Sequence, residues 1–197
     1  IRMTLQKDTV YLISNGDFRD SAGEVCWPMQ KETLSAAERA FHELGYETEI
    51  FPQFDPNRKH GFLTTQASGT SVFATINPLS PVVVVLSCWA YSHHVASSLQ
   101  THKGPILLLA NFDGTWPGLV ALLNHSATLD RLCVKHSRSW SESFWKDKEF
   151  MVRLNTWLET GEIEYDQTHL VDAAETKLSD EALRFGENLG QDIFRNK

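Results

Sequence analysis

Residues 82–86 read Val-Val-Val-Val-Leu, an unbroken apolar run held between Pro81 and Ser87. A strand with one face in water alternates polar and apolar residues, whereas a run without alternation suits a strand covered on both faces. Four β-branched residues in succession also favour extended backbone over helix. This segment therefore predicts a central strand in a sheet sandwiched between helices, and the rest of the chain has to supply those layers.

The flanking segments have the pattern required. Residues 8–14 hold a second apolar run of Val10, Tyr11, Leu12 and Ile13, and 105–110 a third. Residues 46–51 alternate and stop before Pro52, and 132–137 read as a fifth strand. Between them lie helical patterns. Over 29–44 a stripe of Leu34, Ala37, Phe41 and Leu44 ends at Gly45, a common helix stop. Further helices are expected over 61–76, 91–101 and 119–129, and a last one carries Phe150, Leu154, Trp157 and Leu158. Strict alternation of strand and helix predicts an α/β, three-layer fold of the flavodoxin-like or Rossmann-like kind. Its sheet is expected to be five-stranded and mainly parallel, in the order 2-1-3-4-5.

Residues 161–177 are acidic and aperiodic, which reads as a connecting segment. Ser179 then caps an expected helix with Ala182, Phe185, Leu189 and Ile193 along one stripe. The division expected is an α/β domain over 1–160, followed by a connector and helix over 161–197 that lead to a further domain. The chain opens at Ile1 and stops just after that helix, so it is expected to be part of a longer polypeptide.

Composition narrows the function. A formal net charge of −7 argues against a nucleic-acid surface or a polybasic membrane patch. The run 81–86 is far too short for a bilayer core of roughly 30 Å, and no basic-then-apolar leader opens the chain. Cys26, Cys88 and Cys133 are scattered and lack CxxC spacing, so free thiols in a reducing, cytoplasmic setting are expected.

Ligands of open parallel sheets bind beyond the carboxyl ends of the strands, near the point where strand order reverses. The loops expected there are 15–20 (Asn-Gly-Asp-Phe-Arg-Asp), 87–94 (Ser-Cys-Trp-Ala-Tyr-Ser-His-His) and 111–118 (Asn-Phe-Asp-Gly-Thr-Trp-Pro-Gly). None carries GxGxxG or a Walker-type GK[ST], so phosphate cradling has no support. Cys88 beside His93 and His94 invites a nucleophile reading, and His93, His94, Asp113 and His125 a metal reading. Ordinary buried and capping roles are the simpler account of both, because neighbouring histidines on a helix point apart. Arg131, Lys135, His136 and Arg138 read as a solvated basic face rather than an anion site. Most of the tryptophans read as core. Trp89 and Trp116 differ because they follow strand ends, where an aromatic face can stack on a sugar.

Two of these loops carry a resemblance. The segment 82–91, Val-Val-Val-Val-Leu-Ser-Cys-Trp-Ala-Tyr, resembles the strand and Cys-Trp-x-Tyr turn of L-fucose isomerase-like proteins. The segment 114–120, Gly-Thr-Trp-Pro-Gly-Leu-Val, resembles that family's Gly-Thr…Pro-Gly turn into the next helix. Ala90 and Ser92 stand where typical members have a second cysteine and a glycine, which points to a divergent branch and a different sugar. The resemblance implies an aldose–ketose isomerase that works with a divalent metal, usually Mn²⁺, through an ene-diol. It implies metal ligands in later domains, and an N-terminal domain that covers the sugar of a neighbouring subunit in a homo-oligomer. Arg19 and Trp89 would then contact the sugar, with Asp17, Tyr91 and Trp116 beside them. A stand-alone sugar-binding module and a purely structural oligomerisation domain are the alternatives on the same fold.

Overall fold

The computed structural model describes residues 9–90, 92–165, 168 and 184. Its elements run β1 (Val10–Ser14), α1 (Asp20–Glu43), β2 (Thr48–Phe51), α2 (Gln66–Phe73), β3 (Val82–Leu86) and α3 (Ala96–Thr101). They continue with β4 (Ile106–Asn111), α4 (Gly118–Arg131), β5 (Ser137–Ser141) and α5 (Lys148–Thr160), with a 3₁₀ turn over Phe144–Lys146. The five strands form one sheet of order β2-β1-β3-β4-β5, and every neighbouring pair is parallel. This is the flavodoxin-like arrangement expected from the alternation.

The pleat sends alternate residues to opposite faces. Val82, Val84 and Leu86 of β3 join Ile106, Leu108 and Ala110 of β4 in a cluster with Val95, Leu99, Ala121, Leu122 and Leu129. On the other face α1 and α5 pack together, with the rings of Phe41 and fully buried Trp157 edge to face at 6.4 Å. Helices thus cover both faces, which is why β3 and β4 tolerate no polar residue between Val82 and Leu86 or between Ile106 and Ala110.

Four elements depart from the periodicity. Helix α1 begins at Asp20, not residue 29, and continues through Pro28. Gly23 in that early stretch is needed because a Cβ there would sit 2.5 Å from the buried His60 ring. Residues 61–65, expected to be helical, are instead extended beside the end of β1, with Leu63 N donating to Ser14 O at 2.8 Å and Gly16 N to Leu63 O at 3.1 Å. Helix α2 starts only at Gln66, where Thr65 and Ser68 cap each other's backbone N–H. Helix α3 is also shorter than 91–101 and begins at Ala96.

The fifth strand lies later than 132–137. Residues 132–134 instead turn out of α4, with Cys133 in left-handed backbone and Val134 N bonded back to Leu129 O. Strand β5 is Ser-Arg-Ser-Trp-Ser, and its serines are the buried residues. Ser141 Oγ accepts from the N–H groups of Ser143 and Phe144 and donates to Asp147, whose carboxylate caps α5 at Phe150 N. A hydrophobicity pattern misses a strand whose inward side chains are hydroxyls.

The chain divides into two compact units, residues 1–163 and 164–197. Ile163 belongs to the first, buried and donating its N–H to Ser137 Oγ at 3.0 Å, while Glu162 and Glu164 are exposed. The helix expected from Ser179 lies outside the described residues except for Arg184, which is helical.

One buried side chain ties α1 to the middle of the sheet. Gln30, 1% exposed, makes four hydrogen bonds: Nε2 donates to Ser14 Oγ (3.2 Å) and Val85 O (2.9 Å), and Oε1 accepts from Ser87 N (3.2 Å) and Ser87 Oγ (2.5 Å). Gln30→Leu keeps the volume but strands those partners in a dry site. Urea unfolding should show a loss of about 2–4 kcal/mol with an unchanged slope, since each stranded group costs about 1–3 kcal/mol. A loss below about 0.5 kcal/mol, as for an ordinary surface change, would mean the amide holds nothing together.

Candidate functional site

The carboxyl ends of β1, β3 and β4 lie side by side, so the loops that leave them share one edge of the sheet. Gln30 is bonded to Ser14 of β1 and to Val85 and Ser87 at the end of β3, at the level of the strand ends. A ligand at this edge would therefore have to sit above Gln30, among the loop residues.

Asn15, 2% exposed, organises that level. Its Nδ2 donates to Ser92 O at 2.6 Å and to His125 Nε2 at 3.0 Å, which joins β1 to the β3–α3 loop and to α4. Because an amide N–H can only donate, His125 Nε2 must be the bare nitrogen. The ring proton is then on Nδ1, which donates to Ala121 O at 3.0 Å. Burial, reinforced by the neighbouring His93, pushes the His125 pKa down from 6.5 to about 4. The His93 ring meets His125 edge-on with centroids 4.6 Å apart, and its Nε2 is bonded to Asn124 Oδ1. With both nitrogens engaged, His125 is a structural support and not a metal ligand. Among the described residues no group of three or more His, Cys, Asp or Glu side chains is arranged to hold a metal ion.

His94 is different. Burial lowers its pKa, Asp17 partly opposes that, and its Nε2 is buried without a protein partner. Buried polar atoms are nearly always satisfied, so the exceptions carry information. Five buried side-chain atoms lack a partner among the described residues: Asn15 Oδ1, His94 Nε2, Asn111 Oδ1, Ser139 Oγ and Trp157 Nε1. The first three lie directly after β1, in the loop between β3 and α3, and at the end of β4. Unmet hydrogen-bonding capacity is concentrated where this fold places ligands.

The residues expected from the sequence sit around this rim. Asp17 and Arg19 form a bidentate pair, Nε to Oδ1 and Nη2 to Oδ2 both at 2.8 Å, and Arg19 N also donates to Asp17 Oδ1. The guanidinium holds the Asp17 carboxyl below the usual carboxylate range. Arg19 is thus already neutralised locally, while its outer face is open to solvent. Trp89 is 57% exposed, which excludes a core role for it. Trp116 is half-buried in the turn that leads into α4, and Tyr91 lies outside the described residues. Cys88 is buried, with Ser87 Oγ 3.5 Å from its sulfur. The basic cluster is dispersed: Lys135 pairs with Glu162, while His136 and Arg138 bond Ser126 on α4.

Sequence reasoning missed Gln30, since a lone glutamine on a helix gives no pattern. It also missed the organising role of Asn15 and the placement of His60. His60 is a buried ring that accepts from Phe62 N and lies 3.2 Å from Asp20, which Arg58 also pairs. No protein-family model matches this chain, and a search of curated proteins finds no match.

The His125 arrangement has a pH signature. Its folded pKa lies below the unfolded value, so the unfolded chain binds the extra proton between pH 6.5 and about 4. The contribution is complete above pH 6.5 and is lost as pH falls toward 4, on the order of 3 kcal/mol in all. Heteronuclear NMR of the histidine rings should give His125 a midpoint near 4 and an Nδ1-protonated tautomer above it. A midpoint near 6.5 would mean that the ring is solvated and the Asn15 bond absent.

Proposed function

We propose that this chain is the N-terminal, substrate-covering and oligomerisation domain of a cytoplasmic, metal-dependent aldose–ketose isomerase of the L-fucose isomerase-like kind. The carrying observation is the exposed indole of Trp89 at the end of the central strand, beside a rim with unmet hydrogen-bonding atoms. A sugar presents that same combination, an apolar C–H face bordered by hydroxyls that both donate and accept. Asn15 Oδ1 accepts, and His94 Nε2 donates or accepts according to its tautomer. Asp17 and Arg19 add an ion pair whose outward face offers further donors. The fold-level likeness alone would not carry this reading, since one fold hosts many functions.

The residues described here do not fit the expected Mn²⁺, and no step of the chemistry is assigned to them. In this reading the metal and the proton-shuttling carboxylate belong to residues outside this chain. The domain's part is to orient the sugar and shield it from water. No helix among the described residues is long and apolar enough to cross a membrane. The net charge of −7 likewise favours a small polar ligand over nucleic acid.

The test is made on the full-length protein with Mn²⁺, using L-fucose and L-arabinose as probe aldoses and ketose formation as the readout. Trp89→Ala should lower kcat/KM about fivefold or more, because aromatic stacking contributes on the order of 1 kcal/mol. Its melting temperature and Mn²⁺ affinity should stay at the parent values, as expected for an exposed residue remote from the metal ligands. Calorimetric titration of Mn²⁺ into the 197-residue chain alone should give no tight stoichiometric binding. Tight binding there, or an unchanged kcat/KM in the variant, would remove the sugar-covering role.

A further inference from the structure

Cys26 and Gln30 are four residues apart on α1, so they share the helix face that meets the exit of β3. Gln30 takes Ser87, and Cys26 takes the next residue, Cys88. Cys88 Sγ lies 3.9 Å from the Cys26 carbonyl oxygen and directs its S–H toward it, so the two cysteines are in contact. Cys26 is half-buried and reachable by small solutes, whereas Cys88 is 3% exposed. Cys133, the third cysteine, is exposed after α4 and has no part in this contact.

We infer that Cys26 and Cys88 are a redox pair in which peroxide oxidises Cys26 and Cys88 resolves it to an intramolecular disulfide. The Cys26 thiolate attacks one peroxide oxygen, the O–O bond breaks, and hydroxide leaves to be protonated to water. The sulfenic acid so formed is attacked by the Cys88 sulfur, giving the S–S bond and a second water. Two thiols are oxidised by two electrons and one peroxide is reduced to two waters.

The environment assigns the roles. Cys26 is the more accessible sulfur and Cys88 the buried one, and the adjoining Cys88 side chain brings the Cys26 pKa from 9.0 down to about 7. The Cys26 side chain, together with burial, pushes the Cys88 thiol up. Conversion of Cys26 to a neutral sulfenic acid removes the negative partner that holds the Cys88 proton, so the resolving thiol is released only after the first has reacted. The bond would tie α1 to the residue directly before Trp89. The inference rests on the two cysteines alone and is independent of the sugar reading.

The protein is treated with stoichiometric hydrogen peroxide, quenched, denatured, alkylated and digested without reductant. The expected result is a loss of two hydrogen masses from the intact chain, a Cys26–Cys88 linked peptide, and a fall from three titratable thiols to one. Cys26→Ser and Cys88→Ser should each abolish the link, while Cys133→Ser keeps it. Alkylation of Cys26 in the untreated protein should rise with a midpoint near pH 7, and Cys88→Ala should move that midpoint upward. The parent protein decides the matter even where a variant fails to fold. Oxidation confined to Cys133, or Cys26 carried to sulfinic acid beside a free Cys88, would overturn the inference.

Discussion

The Gln30 side chain is the interaction on which the upper half of the molecule depends. A single amide accepts from Ser87 and donates toward β1 and β3, so α1 is locked to the central strands at their carboxyl ends. A parallel sheet offers a crevice where its strand order reverses, and here Gln30 is bonded to both strand ends at that point with all its hydrogen bonds met. Cys26, one turn earlier on the same helix face, is brought against Cys88. Beyond Gln30 lie Asn15 and His94, whose Oδ1 and Nε2 have no partner among the described residues.

Above that platform, rigidity comes from neutral hydrogen bonds. Asn15 is held to Ser92 and to a histidine kept neutral by burial, so the loop after β3 is fastened at its base. The same loop carries Trp89 out into solvent.

The fold was legible in the sequence because its central strands are buried on both faces and therefore read as unbroken apolar runs. The order of strands followed from their alternation with helices. Legibility failed where polar residues do structural work. Strand β5 buries its serines, the 61–65 segment pairs with β1 through backbone alone, and the first turns of α1 are held by the contact of Gly23 with His60. The site was legible as a set of loops, since strand ends can be located from the strands. Its wiring was not. Gln30 reaches the Val85 carbonyl across 55 residues and Asn15 reaches His125 across 110, and no local pattern encodes which distant group a polar side chain will find.

On the proposed function, polar ligands would be met by the loop residues above Gln30 and not by the sheet crevice itself. Titration of the isotopically labelled 197-residue chain with L-fucose, followed through side-chain amide and indole NMR signals, tests it directly. The expected result is a shift of the Asn15 side-chain amide and the Trp89 indole, with the Gln30 amide unmoved. Movement of the Gln30 amide while Asn15 and Trp89 stay fixed would contradict it.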